Sequence, residues 1–248
     1  MFLRMVSMAV RKEQIHQFSD SYDKNVISVL RTTPGCVFAS LLQNVKGNSE
    51  GVSLTIWNSH QEAQAYETSG VFKQLVEVLR PFYAESTEYT LQLSEDLSLE
   101  YSPVVEEPTV KGYTDSNAER GFVGPAKSTP YVVHIVSLTI EPAKAGEFEH
   151  IVTRDILPQY KKEKGFIDLV LLRRERECQI LSFWDETVDI NTALGEQKLN
   201  VLLKEIFRVL PSFVQWKVSH QSSATSSASS DNLKATLYRC LTAEWFIR

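Results

Sequence analysis

An internal repeat is the feature that most constrains the fold of this chain. Residues 3–10 and 133–140 carry the same order of apolar and hydroxyl-bearing side chains, and Ser7 falls on Ser137. Further along, residues 54–57 overlay residues 181–184 in the same way. Because such matches occur in the same order along the chain, we predict two copies of one module, over residues 1–93 and 131–220.

Each copy alternates the signals of strands and helices. The predicted order is β-α-β-β-α-β, the ferredoxin-like unit, and the second copy repeats it. Apolar residues at helical spacing indicate the helices, and short apolar runs bounded by turn residues indicate the strands. In the first copy we predict a strand over 2–10, a helix from Ile15 that ends before Pro34, strands over 36–43 and 52–57, a short helix over 61–66, a helix from Phe72 to Leu79 and a strand over 88–93.

The predicted strands are apolar on both faces. In the first strand Leu3 and Met5 point to one face, and Val6 and Met8 point to the other. A sheet with one wet face alternates apolar and polar residues instead. Helices can cover one face of each sheet, so an apolar surface has to cover the second face. We therefore predict an α+β fold in which two tandem ferredoxin-like modules form an intrachain, pseudo-dimeric α/β barrel.

Two segments lie outside the repeat. Residues 94–130 are acidic and contain Pro and Gly, which predicts a connector along the surface. Residues 221–248 begin with a Ser-rich stretch, and apolar residues then recur every four positions, at Leu233, Leu237, Leu241 and Trp245. We interpret this spacing as a short amphipathic helix that docks on the barrel or on a second subunit, forming a homo-oligomer. A partly disordered tail is the alternative.

The composition excludes several classes of protein. The chain has 248 residues, of which 43% are hydrophobic and 23% charged, and its net charge is −5. These values are typical of globular proteins, and the acidic balance disfavours nucleic-acid binding. No apolar run reaches the roughly 18 residues of a membrane span. The three distant cysteines fit a reducing compartment, so we expect a cytoplasmic protein that binds neither nucleic acid nor membrane.

The first copy resembles a known family. The strand end at residues 54–59, the following residues 61–63, Tyr66 and residues 69–73 are similar to the antibiotic biosynthesis monooxygenase (ABM) superfamily, especially to bacterial haem-degrading monooxygenases. The second copy keeps residues 182–186 and little else of this motif. The resemblance implies dimeric α/β barrels built from the βαββαβ unit, so that a tandem copy imitates the dimer within one chain.

The resemblance also locates the haem site of those enzymes at positions that differ here. Haem degraders use an Asn on the first strand, a Trp in the short helix and an axial His in the last helix. The corresponding residues are Ser7, Tyr66 and Val76 in the first copy, and Ser137, Ala193 and Leu203 in the second. A valine cannot ligate iron, and haem needs an axial donor. We therefore expect no cofactor, haem included, and no metal.

Other members of the family oxygenate aromatic molecules without a cofactor. Such chemistry requires a cavity that binds an electron-rich phenol or quinol, favours its anion and excludes water. By resemblance we expect Asn58 to hydrogen-bond a substrate oxygen, and by helix position we expect Tyr66 or Tyr22 to donate or relay a proton. The expected substrate-binding residues are Trp57, Ser7, Phe72, Val76 and His134.

Plainer interpretations exist for these residues. Trp57 and Trp184 can fill the end of the barrel, as large aromatic side chains do. His134, which the repeat matches with Arg4, can be a core histidine with satisfied hydrogen bonds or face solvent, rather than join Asp168 and Arg4 in a buried polar cluster. The alternative function is a non-catalytic small-molecule-binding or assembly module with a filled barrel.

Overall fold

The computed structural model describes residues 1–46, 49–93, 99–116, 122, 124–125, 130–186, 204–220 and 233–246. Its strands are β1 (Phe2–Ala9), β2 (Cys36–Asn44), β3 (Glu50–Trp57), β4 (Glu85–Leu93), β5 (Leu99–Val105), β6 (Thr109–Asp115), β7 (Tyr131–Thr139), β8 (Phe166–Arg174), β9 (Glu177–Asp185) and β10 (Leu233–Trp245). Eight strands form a closed barrel in the order β1-β3-β2-β10-β7-β9-β8-β6. The predicted α+β barrel of ferredoxin-like modules is therefore confirmed.

The chain divides into two compact units. The first unit comprises Arg4–Lys111 and Leu241–Arg248, and the second comprises Met1–Leu3 and Gly112–Cys240. The helices of the first unit are α1 (Ile15–Ser21), α2 (Ser28–Thr32), α3 (His60–Thr68) and α4 (Val71–Leu79), and those of the second unit are α5 (Ala145–Ile151), α6 (Leu157–Tyr160) and α7 (Ser212–His220). Short 3-10 turns occur at Lys12–Gln14, Arg80–Phe82, Pro142–Lys144 and Phe207–Val209.

Local chemistry explains the two helices after β3. Ser59 begins α3, because its hydroxyl accepts a hydrogen bond from the Glu62 backbone N–H at 3.3 Å and donates one to the Glu62 carboxylate at 2.9 Å. Side-chain caps of this kind satisfy the free N–H groups of a helix start. Gly70 separates α3 from α4 with a φ of 82°, a conformation that glycine adopts without strain.

The same irregularities occur in both halves of the repeat. A π-helical segment interrupts the first helix of each module, at Tyr22–Ile27 in the first and Val152–Ile156 in the second. The register also shifts at the start of β2, between Cys36 and Phe38, and at the start of β8, between Phe166 and Asp168. The π-helical segments matter for the site, because such segments are frequent where function places a side chain.

The core of the second unit lies between its helices and the strands β7, β8 and β9. Phe148 and Ile151 of α5 pack there with Ile180 and Trp184 of β9 and with Leu210. All five side chains are almost completely buried. This packing is what the apolar periodicity of the second module predicts.

The C-terminal segment is a strand, so the predicted amphipathic tail helix is wrong. β10 pairs antiparallel with β7, with Leu233 opposite Leu138 and Arg239 opposite Val132. A spacing of four residues suits one face of a helix but equally the alternate positions of a strand. The Thr, Tyr and Trp residues of this segment favour a strand. Association of two chains through a tail helix therefore loses its structural basis.

The connector and the ends of the modules also differ from the prediction. Residues 94–130 contain β5 and β6, and β6 is a strand of the barrel rather than a surface linker. β4, the last predicted strand of the first module, pairs with β5 in a separate two-stranded sheet. The described part of the second module ends in α7, where the repeat predicts a strand.

Candidate functional site in the first unit

A cleft lies in the first unit between β1, β3 and the helical segments. Its cavity volume is about 30 Å³, and the wider atom-free space of about 380 Å³ includes open solvent. Four of the predicted site residues line it, namely Tyr22, Tyr66, Phe72 and Val76. Most other lining side chains are aliphatic, and a few polar ones are interspersed. A concave apolar surface with few polar groups is typical of small-molecule sites.

Tyr22 supplies a buried phenol to this cleft. It belongs to the π-helical segment, and its hydroxyl lies 2.6 Å from the Ser53 hydroxyl of β3 in a hydrogen bond. Burial raises the pKa of Tyr22 well above its usual range. The side chain is therefore a neutral phenol at physiological pH, which can donate a proton but does not act as a base.

Tyr66 and Phe72 form an aromatic side of the cleft. The Tyr66 ring packs against the Phe72 ring at 6.2 Å between centroids and against the Trp57 ring at 5.1 Å. Burial also raises the pKa of Tyr66. At these separations the rings pack directly against one another, and the second neutral phenol adds a second proton donor.

Arg4 is a cleft residue that the sequence analysis did not place in the site. It lies on β1 with only 3% of its surface exposed, and its side chain lines the cleft. Its guanidinium carbon lies 3.9 Å from the Phe72 ring centroid and 5.6 Å from that of Tyr66, which are cation–π distances. Burial lowers the pKa of Arg4. A single cation within an otherwise apolar strand is the sequence signal that could have identified it.

Trp57 is completely buried behind this aromatic side. Its indole N–H donates to the Thr55 hydroxyl at 3.0 Å, and that hydroxyl donates to the Arg4 carbonyl at 3.3 Å. In the second unit an equivalent chain links the Trp184 indole to the Ser182 hydroxyl at 2.9 Å and the Ser182 hydroxyl to the His134 carbonyl at 3.5 Å. Both tryptophans are thus tied to the first strand of their module.

Asn58 and Ser7 lie away from the cleft. Asn58 follows β3 as an exposed residue, and its backbone N–H donates to the Gly35 carbonyl at 2.9 Å. Ser7 is exposed on β1 and lines a different cavity of about 320 Å³, together with Glu50 and Glu106. Neither side chain is among the residues that line the cleft.

His134 lies in the second unit on β7. It is buried, and its Nδ1 atom has no hydrogen-bond partner within the described ranges. Burial lowers its pKa to about 4, so the ring is neutral at physiological pH. Asp168, its predicted neighbour, accepts hydrogen bonds from the backbone N–H groups of Leu169 and Gly124. Ser137 is half-buried on the same strand, and Ala193 and Leu203 lie outside the described residues.

The residues of the cleft do not fit haem bound in the manner of the haem degraders. Val76, which corresponds to their axial histidine, lines the cleft with a hydrocarbon side chain that has no lone pair to offer iron. In the described ranges no three His, Cys, Asp or Glu side chains are grouped so that they could hold a metal ion. Within those ranges, too, no helix has the length and apolarity to cross a membrane.

The fold and the cleft define a barrel of ferredoxin-like modules with a largely apolar cleft in its first module. Residues 1–78 match the family model described as antibiotic biosynthesis monooxygenase. The first module is therefore an ABM domain, as the resemblance of its sequence predicts. No curated protein matches the chain significantly.

Solved structures share the fold across the whole chain. A candidate monooxygenase from Fusobacterium nucleatum is similar with a TM-score of 0.61 and 10% identity, over 98% of this chain and 94% of its own. One from Lactobacillus acidophilus gives 0.60 and 8%, over 99% and 96%. A protein described as anthrone oxidase-like gives 0.56 and 9%, over 100% and 94%. At these identities the likeness shows the fold alone.

Proposed function

We propose that the first module is a cofactor-independent oxygenase that acts on a small phenol or quinol in the cleft. The observation that carries the proposal is the combination of an aromatic side, the three neutral phenols of Tyr22, Tyr66 and Tyr83, and one buried guanidinium around a single cleft. The ABM sequence of residues 1–78 supports the same class of chemistry. The three cysteines are free thiols, which agrees with the expected cytoplasmic location.

The proposed reaction converts a ring C–H of the substrate into a carbonyl. The substrate anion supplies four electrons to O₂, a C–O bond forms at the ring carbon, and the O–O bond breaks. The departing oxygen takes a proton from Tyr66 or Tyr22, and the ring C–H proton restores that tyrosine. The departing oxygen also takes up the proton that the substrate lost on ionising, so the products are a quinone and one water. Neutral tyrosines suit this role because they enter the step protonated.

The cleft also favours the reaction by excluding water. Tyr22 is 1% exposed and Tyr66 is 5% exposed, so a ligand in contact with both is largely removed from solvent. Phe72 and Val76 are half-buried side chains of the lining, and we expect them to move aside when an aromatic ligand enters a cavity of about 30 Å³. Shielding of this kind protects a reduced-oxygen intermediate from hydrolysis.

Oxygen consumption tests the proposal. The purified chain is given a panel of phenols and hydroquinones, and uptake of O₂ is compared with the uptake without protein. With an accepted substrate we expect Tyr66→Phe and Tyr22→Phe to lower kcat, together by about a hundredfold, the typical effect of a positioned proton donor. Tyr160→Phe is the matched control, because Tyr160 is a buried phenol of the second unit.

Two results would refute the proposal. One is O₂ uptake no faster than the uncatalysed reaction with every phenol in the panel. The other is uptake that Tyr66→Phe and Tyr22→Phe leave unchanged. Retained binding of the same molecules without uptake would instead support the non-catalytic small-molecule-binding module.

A further inference from the structure

A guanidinium with unused hydrogen-bond donors inside the cleft indicates what kind of ligand it takes. Among the described residues, the Nε and Nη2 atoms of Arg4 are buried and have no hydrogen-bond partner. Its ion pair is loose, because Oε2 of Glu67 lies 3.7 Å from Nε and the Glu67 side chain is 49% exposed. A buried cation whose donors are unused is costly unless something else completes its hydrogen bonds.

The surroundings of Arg4 hold the guanidinium in place without using its donors. Its central carbon lies over the Phe72 ring, 3.9 Å from the centroid, and 5.6 Å from the centroid of the Tyr66 ring. Cation–π contacts act on the face of the guanidinium and leave the N–H groups at its edge available. Since Arg4 lines the cleft, those donors are placed to meet a ligand there.

The described side chains that line the cleft include no base. None of them is a carboxylate or an imidazole, and burial raises the pKa of all three phenols, Tyr22, Tyr66 and Tyr83, and keeps them neutral. Ser53 and Thr55 are ordinary hydroxyls that do not ionise at physiological pH. A ligand that has to react as an anion must therefore lose its proton in solution before it enters.

The position that corresponds to Arg4 in the second module carries a different chemistry. His134 stands there, and it is neutral at physiological pH because burial lowers its pKa to about 4. Of these two corresponding residues, only Arg4 of the first module carries a fixed positive charge. The difference agrees with a ligand site in the first module.

We propose that the cleft binds the anion of a flat, acidic phenol or enol, and that Arg4 pairs with the anionic oxygen through its Nε and Nη2 donors. The inference rests on the proposed function only in taking the cleft to be a ligand site, and a binding measurement without O₂ tests it. Arg4 is then a binding residue that also stabilises the electron-rich form of the substrate, which is the form that reacts with O₂.

The test compares an anion with a neutral molecule of the same shape. 4-Nitrophenol is titrated at mildly alkaline pH, where it is ionised, and 4-nitroanisole serves as its neutral counterpart, both without O₂ and by calorimetry. We expect the nitrophenolate to bind about tenfold or more tightly than the anisole, the effect of one charge-assisted contact. Arg4→Met should abolish this preference, and Arg4→Lys should keep part of it.

Arg31→Met is the matched control. It removes an arginine of the same unit whose charge is paired with exposed Glu244 outside the cleft, so the preference should remain. Circular dichroism and a melting curve show that each variant is folded; Arg4→Lys keeps the charge if Arg4→Met fails this check. Equal affinity for both probes in the native chain, or an unchanged preference in Arg4→Met, would overturn the inference.

The outcomes separate this inference from the proposed function. An anion preference that depends on Arg4, without any O₂ uptake, would support the binding site and refute the oxygenase. O₂ uptake that is sensitive to Tyr66→Phe but not to Arg4→Met would support the oxygenase and refute the role of Arg4.

Discussion

Replacing Thr55 by Val tests the hydrogen-bond chain that fixes Trp57 to β1. The substitution keeps the volume of the side chain but removes the hydroxyl that accepts from the Trp57 indole at 3.0 Å and donates to the Arg4 carbonyl at 3.3 Å. Trp57 is completely buried and Thr55 is 3% exposed, so water cannot replace the lost partner. A buried donor left without a partner costs about 1–3 kcal/mol. We expect Thr55→Val to lower the free energy of unfolding by about 2 kcal/mol.

Urea unfolding monitored by tryptophan fluorescence and circular dichroism measures this change. At about 2–4 °C per kcal/mol for a chain of this size, the melting temperature should fall by about 4–8 °C. In the Trp57→Phe background there is no indole N–H to lose its hydrogen-bond partner, so Thr55→Val should lower the free energy of unfolding by less than about 1 kcal/mol. An equal cost in both backgrounds, or no cost in the native background, would show that the hydrogen bond from the Trp57 indole to Thr55 does not stabilise the fold.

Three further predictions concern stability. Burial lowers the pKa of His134 to about 4, below the unfolded value of about 6.5. Between these two pH values the unfolded chain binds more protons than the folded one, so the free energy of unfolding decreases as the pH is lowered. In urea unfolding at several pH values, His134→Gln should reduce this dependence by about 1.4 kcal/mol per pH unit. Gly35→Ala should lower the free energy of unfolding by about 1–3 kcal/mol, because φ is 80° and the new Cβ meets Glu62. Gly146→Ala is the control, because its backbone is helical and its new Cβ meets open space, and it should not lower the melting temperature. Deletion of residues 233–248 removes β10 from the barrel and should leave no cooperative unfolding transition; a melting curve like that of the full chain would show that the strand is dispensable.

The sequence was sufficient to predict the first module because its signals are local. The apolar periodicity of Phe72, Leu75 and Leu79 identifies one face of α4, and the structure buries Leu75 and Leu79 on that face. Ser59 and Gly70 mark helix boundaries through hydrogen bonding and backbone conformation that depend on few neighbours. Such signals survive in any tertiary context.

The strands β6 and β10 could not be predicted for a physical reason. Residues 109–115 include Lys111 and Gly112 and are largely polar, so nothing local distinguishes them from a loop. Gly112 is needed because a Cβ there would meet the ring of Phe2, a contact made by distant parts of the chain. In β10 the leucines at every fourth position suit a helix and a strand equally, and only pairing with β7 decides between them.

The cleft was partly predictable for the same reason. Tyr22 and Tyr66 reach it because helix periodicity directs them toward the sheet. Arg4 shares its face of β1 with Val6 and Met8, which also line the cleft, but a strand buried on both faces gives no local sign of which face meets a ligand. Asn58 follows the last residue of β3, where the alternation of the strand no longer fixes the direction of a side chain.

The two halves of the repeat separate structural residues from candidate functional ones. Trp57 and Trp184 are both completely buried and make the same indole-to-hydroxyl hydrogen bond two residues back along the strand, so this arrangement serves the fold wherever it occurs. Arg4 and His134, at matching positions, differ in charge, although each has a buried nitrogen that makes no hydrogen bond to any described residue. A requirement of the fold would act on both positions alike. The retained tryptophans therefore indicate a structural role, and the charge on Arg4 indicates a role that belongs to the first module's cleft.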